Sequence, residues 1–206
     1  MTRSHPLIIG RRAALAFAAA AALATAACGD KVLQGKGSSY LVIDQLAAAS
    51  GAKAETFSTV LQSDVLTKGG VLEDLGKVTL HIAMKDATLT TGTEPSANNV
   101  ITVNRYHIDF VRSDGRNTQG VDVPYSIDGA VTGTVTASQT ALVFAIVPVQ
   151  RKLEAPLLAL RNLGGAVAIM TIANVTFYGY DQAGNAVAVT GSISVNFADW
   201  ADEAGQ

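Results

Sequence analysis

From Tyr40 onward the apolar residues fall in short runs separated by clusters of Gly, Ser, Asn and Asp, and several runs alternate with the period of two that a half-buried strand requires. Residues 77–85 show it most clearly: Val78, Leu80, Ile82 and Met84 share one face, and Thr79, His81 and Ala83 the other. Two weaker runs, 40–43 and 57–66, precede it, with breaks at Ser50-Gly51 and at Lys68-Gly69-Gly70. A polar loop over 86–99 follows. Between Val100 and Arg112 the phase changes, because Ile101 and Val103 are odd-numbered while Tyr106, Ile108 and Phe110 are even. A β-bulge at Asn104-Arg105 reconciles the two halves and leaves Arg105, His107 and Asp109 outward. Residues 113–120 read as a turn cluster, and 121–125 as extended chain whose Pro124 belongs at an edge.

The second half repeats the pattern. Runs at 130–136 and 140–149 are separated by Ala137-Ser138-Gln139, and the second is apolar on both faces, as expected of a central, covered strand. Leu153, Leu157 and Leu160 recur at i, i+4 and i+7, Pro156 sits near the start and Gly164-Gly165 supply a stop, which predicts one short helix over 153–163. Residues 166–180 and 186–198, joined by 181–185, predict a long β-hairpin. In its second strand Val187, Val189, Ile193, Val195 and Phe197 face inward, and Thr190, Ser192, Ser194 and Asn196 outward. About eight strands and one short helix predict an all-β fold, a two-sheet antiparallel β-sandwich.

The order of a strand, a short helical crossing, a long strand and a closing hairpin resembles the E, F and G strands of immunoglobulin-like domains, over residues 40–198. A related Greek-key sandwich fits equally well. The cysteine pair of antibody domains is absent and the sole tryptophan, Trp200, follows the last strand, so neither antibody-type core marker carries over. The resemblance implies that loops 86–99, 137–139 and 181–185 cluster at one end and 113–120 at the other.

Ahead of the strands lies a different pattern. Residues 13–27 form an unbroken small-apolar run of 15 residues, short of the roughly 20 that a membrane-crossing helix needs. Arg3, Arg11 and Arg12 precede it and Cys28, the only cysteine, ends it. Positive flank, short apolar run and small residues at the end make an export signal over 1–27. Thr25-Ala26-Ala27-Cys28 resembles the lipobox of bacterial lipoproteins, with Thr25 where that motif usually has Leu. The resemblance implies diacylglyceryl attachment at the Cys28 sulfur, membrane anchoring through that lipid, and residence in the cell envelope. Gly29, rather than Asp, after the cysteine implies the outer membrane where there is one. The alternative is ordinary signal cleavage with Cys28 left as a thiol. Arg11-Arg12 also resembles a twin-arginine export signal. Residues 28–39, rich in Gly, Ser and Lys, read as a flexible tether, 40–199 as the domain, and 200–206 as a tail.

Composition fits an exported domain. The precursor has formal charge −2. Removing 27 of 206 residues leaves 179 and takes away three arginines and no acid, so 12 basic residues face 17 acidic ones. Nothing basic invites nucleic acid. No second cysteine follows Cys28 to form a disulfide within the domain.

Motifs for chemistry are absent: there is no GxSxG elbow, phosphate loop, HExxH or Cys/His cluster, and no cofactor is implied. His81 and His107 sit at outward strand positions. Asp109, Asp114, Asp122 and Asp128 surround loop 113–120 without the alternating ligand order of a calcium loop, and read as turn-forming and edge-protecting charges. Candidate binding positions are the aromatic pair Tyr178 and Tyr180, with Tyr106 placed nearby, and the loop residues Asp114, Arg116 and Asn117. The resulting expectation is a non-catalytic domain that binds a protein, glycan or envelope partner. The competing expectation is an exported enzyme or metal-binding domain with a site scattered over strand ends.

Overall fold

The computed structural model describes residues 37–68, 70–85 and 95–200, all within the unit Gly35–Gln206. The predicted signal, Cys28, most of the tether, residues 86–94 of the polar loop and residues 201–206 lie outside the described residues.

Among the described residues the strands are β1 (Ser39–Ala49), β2 (Val60–Asp64), β3 (Asp74–Met84), β4 (Ile101–Val111), β5 (Ile127–Val135), β6 (Thr140–Val147), β7 (Ile169–Asp181) and β8 (Ala186–Ala198). They form a three-stranded sheet, β1-β3-β6, and a five-stranded sheet, β2-β8-β7-β4-β5. The fold is all-β with two sheets. Strand alternation decides which residues the sheets share: Val78, Leu80 and Ile82 of β3 are buried, as are Val187, Ile193, Val195 and Phe197 of β8. Phe144 of β6 stands between the sheets, its ring 4.9 Å from Tyr106 and edge-on to Phe177 at 5.2 Å. Tyr106 therefore belongs to the core and not to an outward aromatic strip. Its hydroxyl donates to the Ala145 carbonyl oxygen at 2.9 Å, tying β4 to β6 across the core.

The bulge in β4 is where the phase change demands it. Val103 faces Gly179 of β7 and Arg105 faces Tyr178, so Asn104 is the extra residue. At that point β4 presses on β7 so closely that a Cβ on Gly179 would collide with the Thr102 carbonyl oxygen. The β7–β8 hairpin pairs from Ile169↔Phe197 to Tyr180↔Ala186. Its loop is closed by the Asp181 carboxylate, which accepts from the backbone N–H of Ala183 and Asn185.

Several expectations are corrected. The predicted helix over 153–163 is a four-residue α1 (Val149–Lys152) and a separate 3-10 turn (Leu157–Leu160). Pro156, with no N–H to donate, separates them; Leu157 and Leu160 reach the core while Leu153 is exposed. β6 is an edge strand rather than a central one, and its outer face is uncovered at Val143. The sheets are not wholly antiparallel, because β2 runs parallel to β8. Residues 50–59 carry the chain back along β1, where Ala48 and Ser58 exchange both backbone hydrogen bonds, and β2 then leaves in the direction of β8. Residues 121–125 join no sheet; Gln119 and Val123 make one isolated bridge. β1 begins at Ser39, which is buried and whose hydroxyl donates to the Asn99 carbonyl oxygen.

The strand directions give the domain two distinct ends. The chain enters at residues 37–39, with Gly37 packed on Asp181 and Ser38 bonded to Asn99. Thr136 accepts from Ile82 at the same end, and Ile101 pairs with both Val135 and Asp181. The described part of loop 86–99, the 136–139 turn and the 181–185 loop therefore gather where the chain enters. Loop 113–120 follows β4 at the opposite end. The 11 residues of β1 separate the two ends by roughly 35 Å.

Candidate functional site

The sequence-predicted binding residues do not come together. Tyr178 and Tyr180 lie on the outward face of β7 near the end where the chain enters. Arg105 covers the Tyr178 ring, its guanidinium carbon 4.1 Å from the centroid, and Tyr180 is exposed. Asp114, Arg116 and Asn117 lie beyond the other end of β4, and the strand from Arg105 to Val111 alone spans roughly 20 Å. That loop is internally satisfied. The Asp114 carboxylate takes the Arg112 and Arg116 guanidinium groups at 2.6 and 3.1 Å, and Asn117 Oδ1 accepts from the Arg112 backbone at 2.6 Å. The hydrogen bond from Arg112, with others from Arg116, holds the Asp114 carboxyl well below its ordinary range.

The histidines are on different sheets. His81 meets Asp44 at 2.8 Å on the three-stranded sheet. His107 lies between Asp128, 2.9 Å from Nδ1, and Asp109, 3.1 Å from Nε2, on the outward face of the five-stranded sheet. Burial disfavours the charged imidazole of His107, but the hydrogen bond and charge of Asp128 and those of Asp109 outweigh it and raise its pKa. Among the described residues no group of three or more His, Cys, Asp or Glu side chains is arranged to hold a metal ion.

A cleft of about 510 Å³ opens at the end away from chain entry, lined by residues from four separate stretches: Ser50 to Lys53; Gln62 and Asp64; Thr67, Lys68 and Leu72; and Trp200. Its organiser is Asp64, buried at the end of β2. Oδ1 accepts the backbone N–H of Trp200 at 3.1 Å and of Leu66 at 3.3 Å, while Oδ2 accepts the Thr67 hydroxyl at 2.7 Å. One carboxylate thus fixes two walls. Thr67 and Gly70 exchange backbone hydrogen bonds across a tight turn, which holds Lys68 at φ 47°. Left-handed backbone costs a non-glycine residue roughly 1–2 kcal/mol. A lysine sits on the lip of the cleft where a glycine would be easier. Trp200, expected in the tail, is half-buried in the wall, and its indole N–H has no acceptor among the described residues.

Beneath the cleft lies an ion pair that sequence reasoning missed. Lys152 of α1 is 1% exposed and Asp74 of β3 is fully buried. Lys152 Nζ lies 2.8 Å from Asp74 Oδ1 and donates to the Asp64 carbonyl oxygen at 2.8 Å. Asp74 also accepts the Ser63 hydroxyl at 2.6 Å and the Gly51 backbone N–H at 2.9 Å. Burial pushes the Asp74 carboxyl above its ordinary value against the pull of Lys152, Ser63 and Gly51. The cluster joins both sheets, the helical crossing and the Gly51 wall. Trp200 was the one available signal for this site, as a lone tryptophan just past the last strand.

Compared with known proteins, the chain matches no family model, no curated protein and no solved structure.

Proposed function

We propose that the chain is a lipid-anchored protein of the cell envelope, held through Cys28, whose β-domain binds a protein or glycan partner without catalysis. The observation that carries this reading is the polarity of the domain. The chain enters beside Asn99 and Asp181, where a tether from Cys28 attaches, and the Trp200 cleft opens at the other end. In a chain anchored at Cys28, that arrangement turns the cleft away from the membrane. The separation of His81 and His107 onto different sheets, with neither lining the cleft, weighs against an assembled catalytic centre.

The architecture we propose is an immunoglobulin-like sandwich. The sheet orders β1-β3-β6 and β8-β7-β4-β5 correspond to A-B-E and G-F-C-C′ of that fold, with α1 and the 3-10 turn crossing from E to F. The parallel β2 fits a split first strand that leaves one sheet for the other.

Fractionation of cells producing the parent chain and Cys28→Ser tests the function. The parent is expected with the membranes, since each buried methylene of an attached chain contributes about 0.8 kcal/mol and more than one chain gives stable anchoring. The variant is expected as uncleaved precursor or as soluble protein. Identical processing and localisation of the two would overturn the proposal.

A further inference from the structure

We infer that the outward face of the five-stranded sheet, at the end where the chain enters, is a saccharide-binding site built on Tyr180, Tyr178 and Arg105; this rests on the reading of the domain as a non-catalytic binder and names its partner as a glycan. The strand register sets the geometry. Tyr180 stands between Ala186 of β8 and Thr102 of β4, and Tyr178 between Ala188 and Arg105. Neither neighbour of Tyr180 is large enough to cover its ring, and the residue is 50% exposed. Tyr178 is covered on one side by Arg105, whose guanidinium carbon lies 4.1 Å from the ring centroid. Stacking engages the flat face of the guanidinium and leaves its in-plane N–H donors free.

A contrast within this one face marks the site. Toward the far end its polar side chains satisfy one another: Thr176 with Thr190 at 2.8 Å, Asn174 with Ser192 at 2.7 Å, and His107 with Asp109 and Asp128. At the entry end the side chains of Thr102, Asn104, Arg105, Thr132, Thr134 and Tyr180 make no hydrogen bond or ion pair with any described residue. A saccharide matches that arrangement. Each sugar ring has an apolar face, which stacks on an open aromatic ring, and an edge of hydroxyls, which exchanges hydrogen bonds with Thr, Asn and Arg side chains. A protein partner would need an apolar pocket to seat an anchor residue, and the aliphatic side chains outward here are only those of Ala130, Ala186 and Ala188. From β8 to β5 the face spans about 14 Å, three inter-strand spacings, which gives room for an oligosaccharide. Arg105 is the one charge among these residues. A guanidinium already held by stacking takes a carboxylate with little further ordering, so a saccharide bearing acid groups is preferred to a neutral one.

The full chain in detergent is titrated by calorimetry with hexagalacturonate, and with maltohexaose as the uncharged comparison. Saturable heat is expected with the acidic oligomer, about tenfold tighter than with maltohexaose, the usual worth of one charge-assisted hydrogen bond. Arg105→Gln should abolish that preference, and Tyr180→Ala should weaken both oligomers several-fold. Added salt should weaken the acidic oligomer alone. Ile172→Ala, at the far end of the same face, should change neither affinity. Both site variants should melt near the parent temperature, because the replaced side chains are exposed. No saturable heat with hexagalacturonate, equal affinity for the two oligomers, or indifference to both Arg105→Gln and Tyr180→Ala would overturn the inference. Such a failure leaves membrane fractionation unchanged, whereas failure of anchoring leaves the titration unchanged, so the two claims are separable.

Discussion

Lys152→Met removes one charge from the buried pair and keeps most of the side-chain stem. Two contacts go at once, the 2.8 Å ion pair with Asp74 and the 2.8 Å hydrogen bond to the Asp64 carbonyl oxygen, and with them the bridge from α1 to both sheets. Asp74 stays behind, fully buried, with only Ser63 and Gly51 donating to it. Breaking a buried pair by removing one partner costs about 3–5 kcal/mol. For a domain of this size that lowers the melting temperature by about 6–20 °C. Asp74→Asn should fall in the same range, because it leaves the Lys152 ammonium buried beside a neutral amide. The double variant Lys152→Met/Asp74→Asn should lose less than the sum of the two, with a coupling of about 1–3 kcal/mol, since neither charge is then left unpaired. Thermal and urea unfolding followed by circular dichroism measure all four proteins. Single variants within about 1 kcal/mol of the parent, or losses that simply add, would show that the pair is not the tie between the sheets.

His107 is expected to make stability depend on pH in a defined direction. Its folded pKa is raised above the ordinary 6.5, so its contribution is fully present below that value and is lost as pH rises through the raised one. The melting difference between the parent and His107→Gln should shrink over that interval, and a difference that grows with pH would refute the assignment. Gly179→Ala should cost about 1–3 kcal/mol, because the added methyl meets the Thr102 carbonyl oxygen at the bulge; an unchanged melting temperature would show that β4 and β7 are not that close. Asp114→Ala should leave melting unchanged despite its two arginine partners, since the loop is exposed; a clear fall would show that the loop supports the fold.

The parts of this fold that were legible in the sequence are those written in local periodicity. β3 and the β7–β8 hairpin alternate cleanly, and the odd-to-even change between Val103 and Tyr106 fixes the bulge at Asn104. Period says nothing about which strand lies beside which, or in what direction. The parallel pairing of β2 with β8 and the edge position of β6 were for that reason not readable. The leucine spacing around Pro156 imitates a helix because Leu157 and Leu160 do both face the core, though from a 3-10 turn. The site was less legible than the fold. Lys152 lies between Arg151 and Leu153 and reads as one more surface charge, while its partner Asp74 is 78 residues away. The cleft draws its lining from four stretches, and the carboxylates that hold its walls, Asp64 for Thr67 and Trp200 and Asp74 for Gly51, carry no motif. Gly179, between Tyr178 and Tyr180, did carry a signal: a glycine within an aromatic strand marks a close approach of another backbone.

Intact-mass and peptide mass spectrometry of the protein recovered from membranes tests lipid anchoring at its source. If Cys28 is the attachment site, the mature chain begins at residue 28, and its N-terminal peptide carries a diacylglyceryl thioether together with an acylated amine. A mature N-terminus elsewhere, or an N-terminal peptide with an unmodified Cys28 thiol, would contradict the anchored reading.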